Sequence, residues 1–335
     1  MIVVREAGLY CAAGDFYVDP WRSVPCAVIT HAHADHARWG SKKYYCAAVG
    51  EGVLRARIGD NAIIKGIPYR ESFRMGKALI SFHPAGHILG SAQVRVEVEG
   101  EVWVISGDYK NGNDPSCDPF ETVTCDTFVT ESTFALPVYR WPSPESVFDE
   151  MNHWWRKNQF NGRTSVVIAY ALGKAQRILC GLDAGIGPIG THGAVEKLNR
   201  HYREAGKPLP ATLAVGGDSQ DVLRGRGLIV APGSALNSSW LKRFAPYSLA
   251  FASGWMRVRG ARRRGSFEHG FVLSDHADWP GLLATIRATG ARRVGVTHGF
   301  SDILVRWLRE IEGLESFVLP TRFIGEASSE KDEDS

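Results

Sequence analysis

The stretch Thr30-His31-Ala32-His33-Ala34-Asp35-His36 constrains this chain more than any other. It sets three imidazoles and a carboxylate within six residues, directly after the apolar run Ala27-Val28-Ile29. The pattern reads as a strand running into a loop, with a helix starting near Ala34. Imidazole and carboxylate are donors for zinc first, and for manganese or iron second. A solvated surface turn has no use for three histidines at adjacent and alternate positions. The donors therefore belong at the C-terminal edge of a strand, and the fold has to bring further donors to that edge.

The chain offers them in a repeated form, an apolar run followed by a turn and an imidazole or an acid. Ala78-Leu79-Ile80-Ser81-Phe82-His83 leads through Pro84-Ala85-Gly86 to His87. Val102-Trp103-Val104-Ile105-Ser106 leads to Gly107-Asp108, and Phe128-Val129-Thr130 leads to Glu131. Later, Gly270-Phe271-Val272-Leu273 runs into Ser274-Asp275-His276, and Arg293-Val294-Gly295-Val296 into Thr297-His298-Gly299. Phe16-Tyr17-Val18 ends on Asp19, just before Pro20. These runs have strand texture, and their ends suggest one rim fed by several strands.

Between the two donor-rich parts lies a different texture. Pro144 to Gln159 reads as a helix with the stripe Val147, Met151, Trp154 and Trp155, followed by the strand Ser165 to Ala169 and a helix from Gly173 to Ala184. Strand–helix alternation continues to about Pro246, which implies a parallel sheet with covering helices. We read residues 143–247 as an inserted α/β domain. It interrupts a first domain made of residues 1–142 and 248–325, and the acidic residues 326–335 read as a disordered tail. A chain of 335 residues has room for two such domains.

A net charge of +3 does not announce a nucleic-acid binder. Its distribution says more, because Arg257, Arg259, Arg262, Arg263 and Arg264 stand close together with no acid among them. Such a patch can grip phosphates even on a nearly neutral molecule. Lys174 and Arg177, near the start of the helix after Gly173, are further candidates for a backbone phosphate. The six cysteines are scattered with no CxxC pair and read as small buried hydrophobes in a reducing cytoplasm. The N-terminus lacks the layout of an export signal, and no apolar run approaches the ~20 residues that span a bilayer.

His31, His33, Asp35, His36, His87, Asp108 and His298 amount to five imidazoles and two carboxylates. One catalytic zinc takes about three protein ligands and keeps a position open, so this set suits a pair of divalent ions. Asp108, which stands alone, is our choice for a shared ligand.

The motif His31-Ala-His33-Ala-Asp35-His36, then Ala-Gly-His87-Ile-Leu-Gly, then Ser-Gly-Asp108-Tyr, resembles the metallo-β-lactamase superfamily. Glu131 in Thr-Glu-Ser-Thr, His276 in Ser-Asp-His-Ala-Asp and His298 in Thr-His-Gly resemble the extra motifs of its β-CASP nuclease branch. Asp19-Pro-Trp-Arg22 and Ser253-Gly-Trp-Met256 resemble the DNA-ligase-associated exonucleases within that branch. The resemblance implies an αββα sandwich carrying an inserted β-CASP domain and a dinuclear metal site. It implies that His31, His33 and His87 hold one ion, that Asp35, His36 and His298 hold the other, and that Asp108 bridges. Asp19 would support the ligand loop, and His276, held by Glu131, would be the general acid. The implied activity is a metal-dependent DNA exonuclease of DNA repair, with DNA preferred over RNA and with a DNA ligase and a helicase as pathway partners. The Artemis-like DNA branch usually lacks a histidine at the position of His298, which RNA-cutting relatives have, so an RNA-processing nuclease stands as the alternative.

Overall fold

The computed structural model describes residues 1–216, 219–236, 238–258 and 267–321. It divides into two compact units, Met1–Pro137 with His276–Ser335, and Val138–Asp275.

The first unit is built on two sheets. One has six strands, in the order Ile2–Arg5, Gly8–Cys11, Phe16–Val18, Ala27–Val28, Tyr44–Ala47 and Ile64–Ile67. The other has seven, in the order Glu315–Val318, Arg293–Thr297, Thr127–Glu131, Glu101–Ile105, Ala92–Val98, Ala78–Pro84 and Ser72–Met75. The two-residue period of the strands decides what lies between them. In Ala92–Val98 the side chains of Val94 and Val96 are fully buried while Arg95 and Glu97 reach the other face. Phe16, Val18, Val28 and Ala47 from the first sheet meet Ile80, Phe82, Val94, Val96, Ile105 and Val129 from the second. The outer face of the second sheet carries Val104, Phe128, Val294 and Val296. The helices Trp279–Thr289 and Ser301–Glu310 cover it with Leu282, Ile286, Leu304 and Leu308. The α/β sandwich expected from the sequence is present.

The second unit holds a six-stranded sheet in which every pairing is parallel. A sheet covered on both faces has near-continuous apolar strands, and Val166, Val167 and Ile168 are all fully buried. The helix Pro144–Phe160 starts on Ser143, whose hydroxyl caps the Ser146 amide at 3.2 Å.

Two expectations are corrected. Residues 248–275 belong to the second unit, because the strand Tyr247–Ala252 pairs with Thr164–Ile168, and His269–Phe271 pairs with it in turn. A boundary at 247 cut through a strand that reads like those of either sheet. The helix expected from Ala34 is a single turn, closed by His36 N and Ala37 N on the His33 carbonyl at 3.1 and 2.8 Å. Gly40, three residues beyond it, takes φ +94°, which a helix continued through this point could not accommodate. The tail 326–335 lies outside the described residues.

The loop after Ala78–Pro84 is held tightly. Ser91 Oγ accepts from His87 N and Ile88 N at 3.0 and 3.2 Å. Gly90, at φ +76°, passes so close to Gly50 that an added Cβ would lie 2.1 Å from its Cα. Gly90→Ala therefore has to move backbone and should lower stability by about 2 kcal/mol or more. Gly100→Ala meets nothing within 4 Å at φ +88° and should cost about 1 kcal/mol of backbone strain alone. Thermal or urea unfolding of the two variants side by side checks the difference.

Candidate metal centre

Strand direction gathers the donors. Glu101–Ile105, Thr127–Glu131 and Arg293–Thr297 run parallel, so Asp108, Glu131 and His298 emerge at one edge. Ala78–Pro84 is antiparallel to a strand that is itself antiparallel to Glu101–Ile105, so His87 emerges there too. The first sheet contributes Asp19 after Phe16–Val18, and the histidine loop after the parallel strand Ala27–Val28.

The side chains converge closely. His33 Nδ1 lies 3.2 Å from His31 Nε2 and 3.1 Å from His87 Nε2. Asp108 Oδ2 lies 3.6 Å from His31 Nε2, 3.4 Å from His36 Nε2 and 3.9 Å from His87 Nε2. Its other oxygen is 3.7 Å from His298 Nδ1. Three groups with donor atoms mutually within 4.8 Å result: His31, His33, His87 and Asp108; His36, Asp108 and His298; and Asp108, Glu131 and His276. Asp108 belongs to all three. Asp35 stands beside them, with Oδ2 3.7 Å from His36 Nε2. Donor atoms bound to one zinc at ~2.1 Å in a tetrahedron are about 3.4 Å apart, which is the range seen here.

Asp19 organises the imidazoles from behind. Its Oδ1 accepts from Thr30 N at 2.8 Å, and its Oδ2 accepts from Thr30 Oγ1 at 2.6 Å and lies 2.7 Å from His36 Nδ1. With its proton committed to Asp19, the Thr30 hydroxyl accepts from His31 Nδ1 at 3.0 Å. One carboxylate thus holds both Nδ1–H groups, on His36 directly and on His31 through Thr30. Both Nε2 atoms are left facing the centre, an arrangement that suits imidazole ligands. The role of Thr30 was missed from the sequence, since a threonine before a histidine carries no signal of its own.

The electrostatics ask for a cation. Burial pushes the His31 imidazole well below its usual range and His36 adds to the push, so its lone pair is free at neutral pH. Burial opposes charge on Asp108 as well, but His36 and His276 hold its carboxyl well below the usual carboxylate range. On His36, burial is outweighed by the carboxylates of Asp108, Asp35 and Asp19, which raise its pKa well above the usual value. His36 Nε2 and Asp108 Oδ1 are buried with no hydrogen-bond partner. Buried donor atoms left over in a region of excess negative charge fit divalent ions.

Beside this cluster, His276 Nδ1 lies 2.8 Å from Glu131 Oε2, and Glu131 Oε1 accepts from Tyr109 N at 2.8 Å. Both side chains are buried. The His276 ring is 4.7 Å from that of His87, centroid to centroid. Ser132, next in the chain, donates to the carbonyls of Thr297 and His298 and so fixes the turn that presents His298.

The basic residues fare differently. Arg257 is exposed at the end of the turn Gly254–Arg257, while Arg259, Arg262 and Arg263 lie outside the described residues. Lys174 and Arg177 were expected to face a phosphate, but both are buried. Each lies 3.8 Å from a carboxylate oxygen of Asp275, and Arg177 also donates to the Ser274 carbonyl. Their charges meet a buried acid of the same unit, which sequence spacing does not reveal. Burial raises the thiol pKa of Cys46 and Cys125 to about 12, which keeps both protonated and unsuited to bind metal.

Removing a carboxylate from this network should show in metal content. Asp108→Asn takes the charge from a donor common to all three groups and should leave protein that retains less metal than the wild type after dialysis. Asp19→Asn leaves every facing atom in place but loosens His31 and His36, and should weaken metal affinity about ten- to a hundredfold. Elemental analysis and competition with a chromogenic chelator measure both.

No family model matches the chain. A probable DNA ligase of Opitutus terrae is 29% identical over 316 residues, which cover 93% of this chain and 30% of that protein. An RNase J-like protein of Methanocaldococcus jannaschii is 24% identical over 200 residues, 53% of this chain and 48% of its own length. A ribonuclease of Thermus thermophilus is 27% identical over 195 residues, 49% of this chain and 44% of its own. The chain thus spans about a third to a half of these relatives. A solved protein of unknown function from Enterococcus faecalis V583 shares the fold, with a TM-score of 0.58 at 11% identity over 89% of this chain and 80% of that one. In its two-sheet sandwich, its converging histidines and these partial likenesses, the chain resembles the β-CASP branch of the metallo-β-lactamase superfamily.

Proposed function

We propose that the chain is a metal-dependent nuclease that hydrolyses phosphodiester bonds of DNA from a strand end, in DNA repair. The observation that carries this reading is the buried Glu131–His276 pair beside Asp108. A small-molecule metallohydrolase has no need of a second imidazole–carboxylate pair next to its ligands. A phosphodiesterase has one, because a poor leaving group, the sugar oxygen, departs and must be protonated.

His31, His33 and His87 would hold one divalent ion, Asp35, His36 and His298 a second, and Asp108 would touch both. The imidazole–carboxylate donor set favours zinc, with manganese second. Such ions supply a lowered pKa for water and a clamp on the oxygens of an in-line displacement. The chain's own residues do the rest. Asp19 keeps the Nε2 atoms of His31 and His36 aimed inward. Glu131 holds the Nδ1 side of His276, which leaves Nε2 to carry the proton to the departing oxygen. Tyr109 N fixes the other oxygen of Glu131, so the pair cannot swing away.

The assignment to DNA is supported by the relative that spans nearly all of the chain, a probable DNA ligase, and by the motifs shared with ligase-associated exonucleases. It makes a DNA ligase, and a helicase of the same pathway, the partners of this activity, in the cytoplasm. No helix among the described residues is long and apolar enough to cross a membrane. RNA processing is the second reading, favoured by His298 and by the ribonucleases among the relatives.

End-labelled single-stranded DNA and RNA of one sequence, incubated with zinc or manganese and with or without chelator, separate the two readings. DNA should be shortened from one end and chelator should stop it; degradation of neither polymer defeats the proposal. His276→Ala should lower kcat by about 10²- to 10⁴-fold with metal content unchanged.

A further inference from the structure

Trp39 stands out on the surface of the first unit. It is 77% exposed, and among the described residues it is the one tryptophan in the open. It follows His36 by three residues, so its Cα lies within ~11 Å of that residue's Cα.

The turn that carries it is firmly held. Tyr44, 1% exposed, donates its hydroxyl proton to the Arg38 carbonyl and accepts from Ser41 N, both at 2.8 Å, and so clamps the two ends of the turn. Lys42 N bonds the Val24 carbonyl at 3.0 Å, and Ser41 Oγ accepts from Val24 N at 3.1 Å. Gly40, at φ +94°, turns the chain directly after Trp39, where an added Cβ would touch Ser23 at 3.4 Å. Lys42, three residues after Trp39, is exposed, and so is Arg22, next to Ser23, which is ion-paired to Glu6. A large aromatic is therefore presented to water on a braced tab, three residues from a candidate metal ligand and three from the exposed Lys42. Little stability follows from a side chain so exposed. A flat aromatic face near basic side chains is what an unstacked nucleobase seeks, whatever its sequence.

We propose that Trp39 is a base-stacking platform for single-stranded nucleic acid, holding a nucleotide a short distance from the bond to be cut. The proposal rests on the nuclease reading and adds a binding residue that neither the ligand set nor the motifs include. The strand passes over the Trp39 ring with one base flat against it, and Lys42 takes an adjoining phosphate. Trp39 thereby sets which linkage reaches the centre.

Fluorescence anisotropy of a labelled single-stranded oligodeoxynucleotide with chelator-treated protein tests this without turnover. Trp39→Ala should weaken binding roughly five- to 150-fold, the range found per stacked base, and Trp39→Phe should restore most of it. The unfolding midpoint of both variants should stay within about 2 °C of the wild type. An abasic sugar moved along the strand should weaken binding to the wild type at one position, and at that position should no longer affect Trp39→Ala. Equal affinity of Trp39→Ala and wild type, or abasic losses identical in both, overturns the proposal. Wild-type protein that neither binds nor cuts nucleic acid overturns the nuclease reading and this proposal with it. Wild-type protein that binds and cuts while Trp39→Ala matches it overturns the platform alone.

Discussion

The carboxylate of Asp108 is the interaction on which the rest of the centre depends. Five imidazoles brought to one edge and buried would repel one another wherever they carry protons, and would face no counter-charge. Asp108 supplies that charge within reach of His31, His36, His87 and His298 at once. Its position also ties the two sheets together. Gly107, at φ +56°, lets the backbone pass Thr30 so closely that a Cβ would fall 2.6 Å from the threonine Oγ1. The acid from the second sheet therefore meets the histidine loop of the first at the point where Asp19, through Thr30, sets the His31 tautomer.

Much of this was legible because each donor follows an apolar run. The residue after a strand end is at the sheet edge, and parallel neighbours share that edge, so His87, Asp108, Glu131 and His298 could be assembled from local patterns. Chemistry of this kind survives in a linear sequence because ligand types are few and their placement is set by strand direction. What is decided by pairing between distant segments did not survive. The strand Tyr247–Ala252 has the same texture as strands of the first unit, and its parallel partner Thr164–Ile168 is what assigns it to the second. Lys174 and Arg177 looked like phosphate contacts because a cation near a helix start has no visible partner in sequence. The fold supplies one in Asp275, about a hundred residues away.

Two residues of the centre show how firmly it is built. Asp19 and His298 both have positive φ, 44° and 50°, where residues other than glycine are uncommon. Such conformations persist where the surroundings over-determine them. At His298 the surroundings are the Ser132 hydroxyl, which holds its carbonyl, and Gly299, which packs against the Ser132 carbonyl so closely that a Cβ would lie 2.3 Å away. At Asp19 they are the bond from its own amide to the Val28 carbonyl at 3.0 Å and the two bonds from Thr30.

The same logic extends outward from the ligands. If the chain cuts a polymer as proposed, a centre held in place by a carboxylate, two left-handed residues and a capped loop would have little freedom to adapt to it, and selection of the reacting bond would have to come from the surface beside it. The loop that supplies His31, His33 and His36 continues without interruption into the clamped turn of Trp39. Any strand lying on that turn is registered against the ligands by a handful of covalent bonds, with no flexible element between. Rigid ligands joined to a rigid neighbouring surface let a fold read position along a chain without reading its sequence.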